Sequence, residues 1–187
     1  MPRKSDARER MVRSAAVLLR EHGAGATSID RVLAHSGAPR GSVYHHFPGG
    51  RTQLIEEAVA LAGDFVAGLI EAAARAGDPV AAIDRFVELW RTWLADSDFK
   101  AGCPIVAVTV ANDSTRLAAG VFGRWADGLA ASFRTHGVPD ARARRLALFV
   151  IAAVEGAVVM CRAERSLEPL EAVTGEIHEL LVHTLRD

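Results

Sequence analysis

Cysteine is nearly absent from this chain. Cys103 and Cys161 are the only two, too few for a disulfide framework or a four-cysteine zinc site. Lysine is as scarce, Lys4 and Lys100 beside 20 arginines, a bias that a GC-rich genome explains more simply than function does. Strand alternation is missing as well. Val106 to Val110 is its nearest approach, and neither a repeat nor a low-complexity tract interrupts the 187 residues. The N-terminus is charged from Arg3 onward and lacks the apolar stretch of a signal peptide, so a cytoplasmic protein is expected. No apolar run is long enough for a membrane. Leu146 to Cys161 is the longest, with Glu155 inside it; as a helix it reaches about 24 Å against a bilayer core of about 30 Å. It reads as a helix buried all round in protein.

Half of the residues are apolar and 24% are charged, which excludes a disordered or acidic solvating chain. The length fits one domain, or two small ones sharing a core. The formal charge of −1 hides a split. Up to Arg51 there are nine basic residues (Arg3, Lys4, Arg8, Arg10, Arg13, Arg20, Arg31, Arg40, Arg51) and four acidic ones (Asp6, Glu9, Glu21, Asp30). Beyond it thirteen basic residues meet nineteen acidic ones. A basic head on an acidic body points to a polyanionic partner for the head alone.

The dominant period is helical. Met11, Val12, Ala15, Ala16, Leu18 and Leu19 form one apolar stripe, closed by Gly23 and Gly25. Thr27 suits the next N-cap, with Asp30 in capping-box position. Ile29, Val32 and Leu33 then make a short helix that stops at Ser36-Gly37. Pro39 opens a third, carrying Val43 and Tyr44 and ending at Phe47-Pro48-Gly49-Gly50. A long helix from about Thr52 to Ala76 follows, broken at Gly77-Asp78-Pro79. Further helices are expected after Pro79, Pro104, Ser114, Pro139 and Pro169. The expected fold is all-α, with no sheet: three short helices over 1–51, then about six over 52–187.

Three short helices with a glycine-containing turn between the second and third follow the helix-turn-helix plan, with Ala34 and Gly37 small where those two must cross. Thr27 and Ser28 offer hydroxyls and N–H groups to a phosphate. Arg40, Gly41, Ser42, Tyr44, His45 and His46 make the third helix polar, while Val43 and Phe47 turn inward. Arg40 has the fork to read a guanine; Tyr44 and His46 can donate to phosphates. The competing reading is a solvated amphipathic helix with incidental polar residues.

Residues Arg8 to Leu54 resemble the DNA-binding domain of the TetR family of repressors. The resemblance lies in Thr27-Ser28-Ile29, then Ser36-Gly37-Ala38-Pro39-Arg40-Gly41-Ser42-Val43-Tyr44-His45-His46-Phe47. That family usually has a lysine three residues after the phenylalanine. Here Pro48-Gly49-Gly50-Arg51 delays the basic residue by one, and the resemblance gives Arg51 the phosphate-clamping role. Phe-Pro-Gly-Gly-Arg, Gly102-Cys103-Pro104, and Glu155-Gly156 with Arg162 to Leu167 are similar to the LmrA/YxaF-like branch. The resemblance implies a homodimer that binds double-stranded operator DNA and senses small apolar or amphipathic effectors, without a cofactor.

In the body, Phe65, Leu69, Phe86, Trp90, Trp93, Phe122, Trp125 and Phe149 are candidate pocket walls, though ordinary core is the plainer reading of any one. Glu155, a carboxylate in an apolar helix, must be paired, protonated, or at an interface or cavity. Cys103 precedes a helix start, where a thiol can be activated, but an inert buried cysteine is the commoner case. His45 and His46 diverge by about 100° on a helix, and His178 and His183 are five apart, so no metal site is expected. A homodimer through about 139–165 and 169–185 is expected, because Leu146 to Cys161 is apolar on every face and Ala152, Ala153, Gly156 and Ala157 are small. Two function classes remain at this point: a ligand-responsive DNA-binding regulator on an inverted repeat, or a helical small-molecule-binding protein or enzyme with no DNA role.

Overall fold

Gly23 shapes the start of the chain. The first helix, α1 (Lys4–Ala26), carries at Gly23 a φ of 78° and a ψ of 173°, values outside the helical region that kink it three residues before its end. The computed structural model describes residues 4–186. After α1 come α2 (Ile29–Ser36), a 3-10 turn (Arg40–Ser42), α3 (Val43–His46) and α4 (Gly50–Ala76). They are followed by α5 (Pro79–Asp96), α6 (Pro104–Val110), α7 (Thr115–Thr135), α8 (Asp140–Glu164) and α9 (Glu168–Arg186). Among the described residues there is no strand.

The cap of α2 is one residue later than the sequence pattern suggests. Ser28 is the N-cap and accepts from the Arg31 N–H; Thr27 is buried, and its hydroxyl donates to the Gly23 carbonyl at 2.8 Å. The kink leaves that carbonyl without its helical partner, so Thr27 is needed behind the cap rather than in it. Gly37 ends α2 as expected, but it is not small for the sake of a close crossing. A Cβ there would meet nothing within 4 Å, whereas its φ of 64° lets its N–H close α2 on the Leu33 carbonyl. Ala34 is exposed, so no close helix crossing is made at either residue.

Packing divides the chain otherwise than at residue 51. One compact unit comprises residues 4–64 together with Cys103–Val121. Its core includes Met11, Leu19, Val32, Phe47, Leu54 and Ile105, and α6 packs against α1. The other comprises Phe65–Gly102 and residues 122–186, where α9 lies on α8 and α5 over Leu94, Phe133, Leu170, Ile177 and Leu181. Within that unit α8 is not buried all round. Leu148, Phe149, Val159 and Met160 are each about half exposed, and Ala152 and Gly156 are exposed between them. By length and mean hydropathy α8 passes for a membrane span, yet it packs on α9 and α5.

His136, just past α7, is held between two carbonyls, Nδ1 to Ser132 at 2.9 Å and Nε2 to Gly77 at 3.0 Å. Both partners accept, so both ring nitrogens must carry protons to satisfy them. These bonds, the one to Ser132 first, raise its pKa from the ordinary 6.5, with Asp78 adding to the rise and burial opposing it. The sign follows: the stabilisation is complete below the ordinary value and fades as pH rises through the raised one. Thermal melts across the neutral range should show wild type losing part of its advantage over His136→Gln with rising pH. Parallel curves would refute this.

Candidate functional site

The polar row of the turn and α3 is built by what lies beneath it. Val43 and Phe47 are buried, Phe47 completely, with the Arg8 guanidinium 5.4 Å from its ring centre. That fixes the opposite side outward. Tyr44 is 70% exposed and the Arg40 side chain 87% exposed, with Gly41 and His45 exposed and His46 half-buried. The third helix is thus split: Arg40 and Gly41 lie in the 3-10 turn, and only Tyr44, His45 and His46 in α3. Pro39, with extended ψ, starts the turn. Ser42 ends it, and its side chain lies outside those described.

Several basic side chains of the head already carry acidic partners. Arg8 pairs with Glu57 at 2.7 Å, Arg10 with Asp6, and Arg13 with Glu9. Arg40 has only a distant contact, 3.8 Å to Asp30. Such exposed pairs are worth little and yield readily to a phosphate.

Arg51 is the main departure from expectation. Its guanidinium is engaged within the protein: Nε donates to the Thr27 carbonyl at 2.9 Å, Nη2 to the Ala24 carbonyl, and Nη1 to Asp113 Oδ2 at 3.1 Å. It fastens the Ala24 and Thr27 carbonyls on either side of the end of α1. The expected phosphate clamp is therefore turned inward, a role that charge and position in the sequence could not reveal.

The second unit contains an apolar cavity, part of it open to solvent. Of the expected wall residues, Leu69, Phe86, Trp125 and Glu155 line it. Phe65, Trp90, Trp93, Phe122 and Phe149 do not. Phe65, Trp93, Trp90 and Phe86 form a run of ring contacts with centres 5.3–6.3 Å apart, Phe122 packs on Trp125 at 5.5 Å, and Phe149 is half exposed. Sequence reasoning missed Ser132. It lines the cavity, and its buried hydroxyl has no hydrogen-bond partner among the described residues. Only folding tells such a serine from any other serine in a helix. No group of three or more potential metal ligands is found among the described residues. Cys103 and Cys161 are both buried, and burial pushes the Cys161 thiol up.

Two family models match the chain. The one described as bacterial regulatory proteins, tetR family, matches residues 12–58, and the one for the LmrA/YxaF-like transcriptional regulator C-terminal domain matches residues 79–176. An uncharacterized HTH-type transcriptional regulator of Mycobacterium tuberculosis is 46% identical over 188 residues, covering 95% of each chain. This chain belongs to the TetR family. The HTH-type transcriptional regulator LmrA of Bacillus subtilis is 27% identical, covering 94% of this chain and 97% of its own. A TetR regulatory protein from Rhodobacter sphaeroides shares the fold at a TM-score of 0.83, with 23% identity over 92% of this chain and 97% of the other. The protein is a DNA-binding transcriptional regulator, and its relatives are regulators rather than enzymes.

Proposed function

We propose that this protein is a cytoplasmic, homodimeric repressor that binds an inverted repeat and leaves it when a small apolar or amphipathic molecule occupies the cavity. The cavity carries the ligand part of this reading: twelve apolar side chains with only Ser132 and Glu155 polar among them, the composition of a small-molecule site. On the DNA side, Arg40 reads base edges, Tyr44 and His46 hold phosphates, and Ser28, with the first N–H groups of α2, supports them. His45, Gly41 and Ser42 lie along the same path. Thr27 acts from behind, through the Gly23 carbonyl. A second copy covers the exposed stripe of α8 with the neighbouring Val182 of α9.

The ligand must favour the DNA-incompetent arrangement, since equal affinity for both shifts nothing. The lever is α4, which begins at Gly50 after the recognition helix and lends Val66, Leu69, Ile70 and Ala73 to the cavity wall. A gel shift on the DNA flanking its own gene, repeated with compounds that co-purify and are identified by mass spectrometry, tests this. Release by such a compound is expected, and Ala73→Trp, which fills the cavity, should bind the same DNA yet ignore the compound. A compound that saturates the cavity without changing DNA affinity would exclude it as the inducer.

A further inference from the structure

We propose that Asp113, in the turn between α6 and α7, is a positioning residue for operator binding, acting through Arg51 on the junction of α1 and α2. The connection is continuous. Ser114 Oγ donates to Asp113 Oδ1 at 3.1 Å, and Asp113 Oδ2 accepts from Arg51. The remaining Arg51 donors hold the carbonyls of Ala24 and Thr27, two buried residues on either side of the end of α1. Ser28, the cap of α2, comes next in the chain.

The turn itself shows a cost. Ser114 has a φ of 49°, in the left-handed region that such residues seldom adopt, and Asn112, at 54°, is the left-handed residue that ends α6. The two residues flank the carboxylate, and the Asp113 N–H is tied to the Val108 carbonyl at 2.9 Å. A strained turn that delivers one carboxylate to one half-buried arginine is an arrangement with a purpose beyond closing a loop. Its consequence is that the head has a fixed geometry only while the α6–α7 turn stays in place. Displacing that turn withdraws Asp113, loosens Arg51 and frees the start of α2.

Simple electrostatics makes the opposite prediction. Removing a carboxylate from a DNA-binding head should tighten binding to a polyanion. The positioning role says that Asp113→Asn weakens it. Full-length protein should be titrated onto an operator duplex selected by wild type from a randomised pool, and onto a scrambled duplex, at several salt concentrations. Asp113→Asn is expected to lose about tenfold on the operator, the scale of one charge-assisted hydrogen bond, and less on scrambled DNA. Its salt slope should equal that of wild type. Arg51→Lys, which keeps the charge and loses the fork, should behave alike, and Arg51→Ala combined with Asp113→Asn should be no worse than Arg51→Ala alone.

Hydrogen exchange on the free proteins supplies the readout that general loosening would not give. Faster exchange confined to residues 24–31 in Asp113→Asn supports positioning. A rise spread over α1 to α4, or none at all, overturns it. Tighter or unchanged operator binding by Asp113→Asn also overturns it, as does a salt slope flattened by about one per site in Arg51→Ala, which would return Arg51 to a phosphate.

Discussion

Phe149→Glu combined with Met160→Glu should yield a monomer that has lost operator binding by about a hundredfold or more. The two positions are eleven residues apart on α8, three turns of helix, and both are about half exposed in the chain. Between them Ala152 and Gly156 are exposed and small enough for close approach. Two buried carboxylates in an apolar seam cost several kcal/mol each before any relaxation, more than a moderate dimer can supply. Each head presents one short recognition segment, so specific affinity depends on two heads acting together, and losing the tether forfeits an avidity of about 10²–10⁴. Light scattering and gel shifts on the same preparations check both halves. A dimeric variant, or a monomer that still binds the operator at wild-type affinity, would contradict the proposed assembly.

Arg40→Ala should lose about 1–3 kcal/mol on the operator and relax the preference at one base position. Its side chain is 87% exposed, with Asp30 no nearer than 3.8 Å, and it sits at the start of the polar row. Tyr44→Phe should weaken operator and scrambled DNA alike, because the phosphate contact proposed for its hydroxyl reads no base and carries no charge. Its salt slope should therefore match that of wild type. Titration of both variants on both duplexes separates the roles. Equal losses for Arg40→Ala on the two DNAs would make it a phosphate contact instead.

Much of this protein was legible without coordinates, for local reasons. Proline, glycine and the helical period set nearly every helix: Pro79 and Pro104 each stand at a helix start, and Gly37 and Gly77 follow a helix end with positive φ. The polar row of Arg40, Tyr44 and His45 was legible too, because burial of Val43 and Phe47 forces its direction within a single turn.

Other features depend on residues far apart in the chain, and only tertiary structure decided those. The basic side chain after the recognition helix reads as a DNA contact in sequence. In the fold, α6 arrives from more than fifty residues away and brings Asp113 to Arg51. The kink at Gly23 hands the cap from Thr27 to Ser28. Among the aromatics, hydropathy cannot tell which rings line a cavity: Phe86 and Trp125 do, whereas Trp90 and Trp93 meet each other edge to face and do not. Likewise α8 is apolar on every side in sequence, but which of its faces the chain covers depends on where α5 and α9 pack. Sequence determined the elements and the chemistry of the head. Which groups meet, and which apolar face is left for another molecule, depended on the packing of distant segments, because a contact's free energy belongs to the pair and not to either residue.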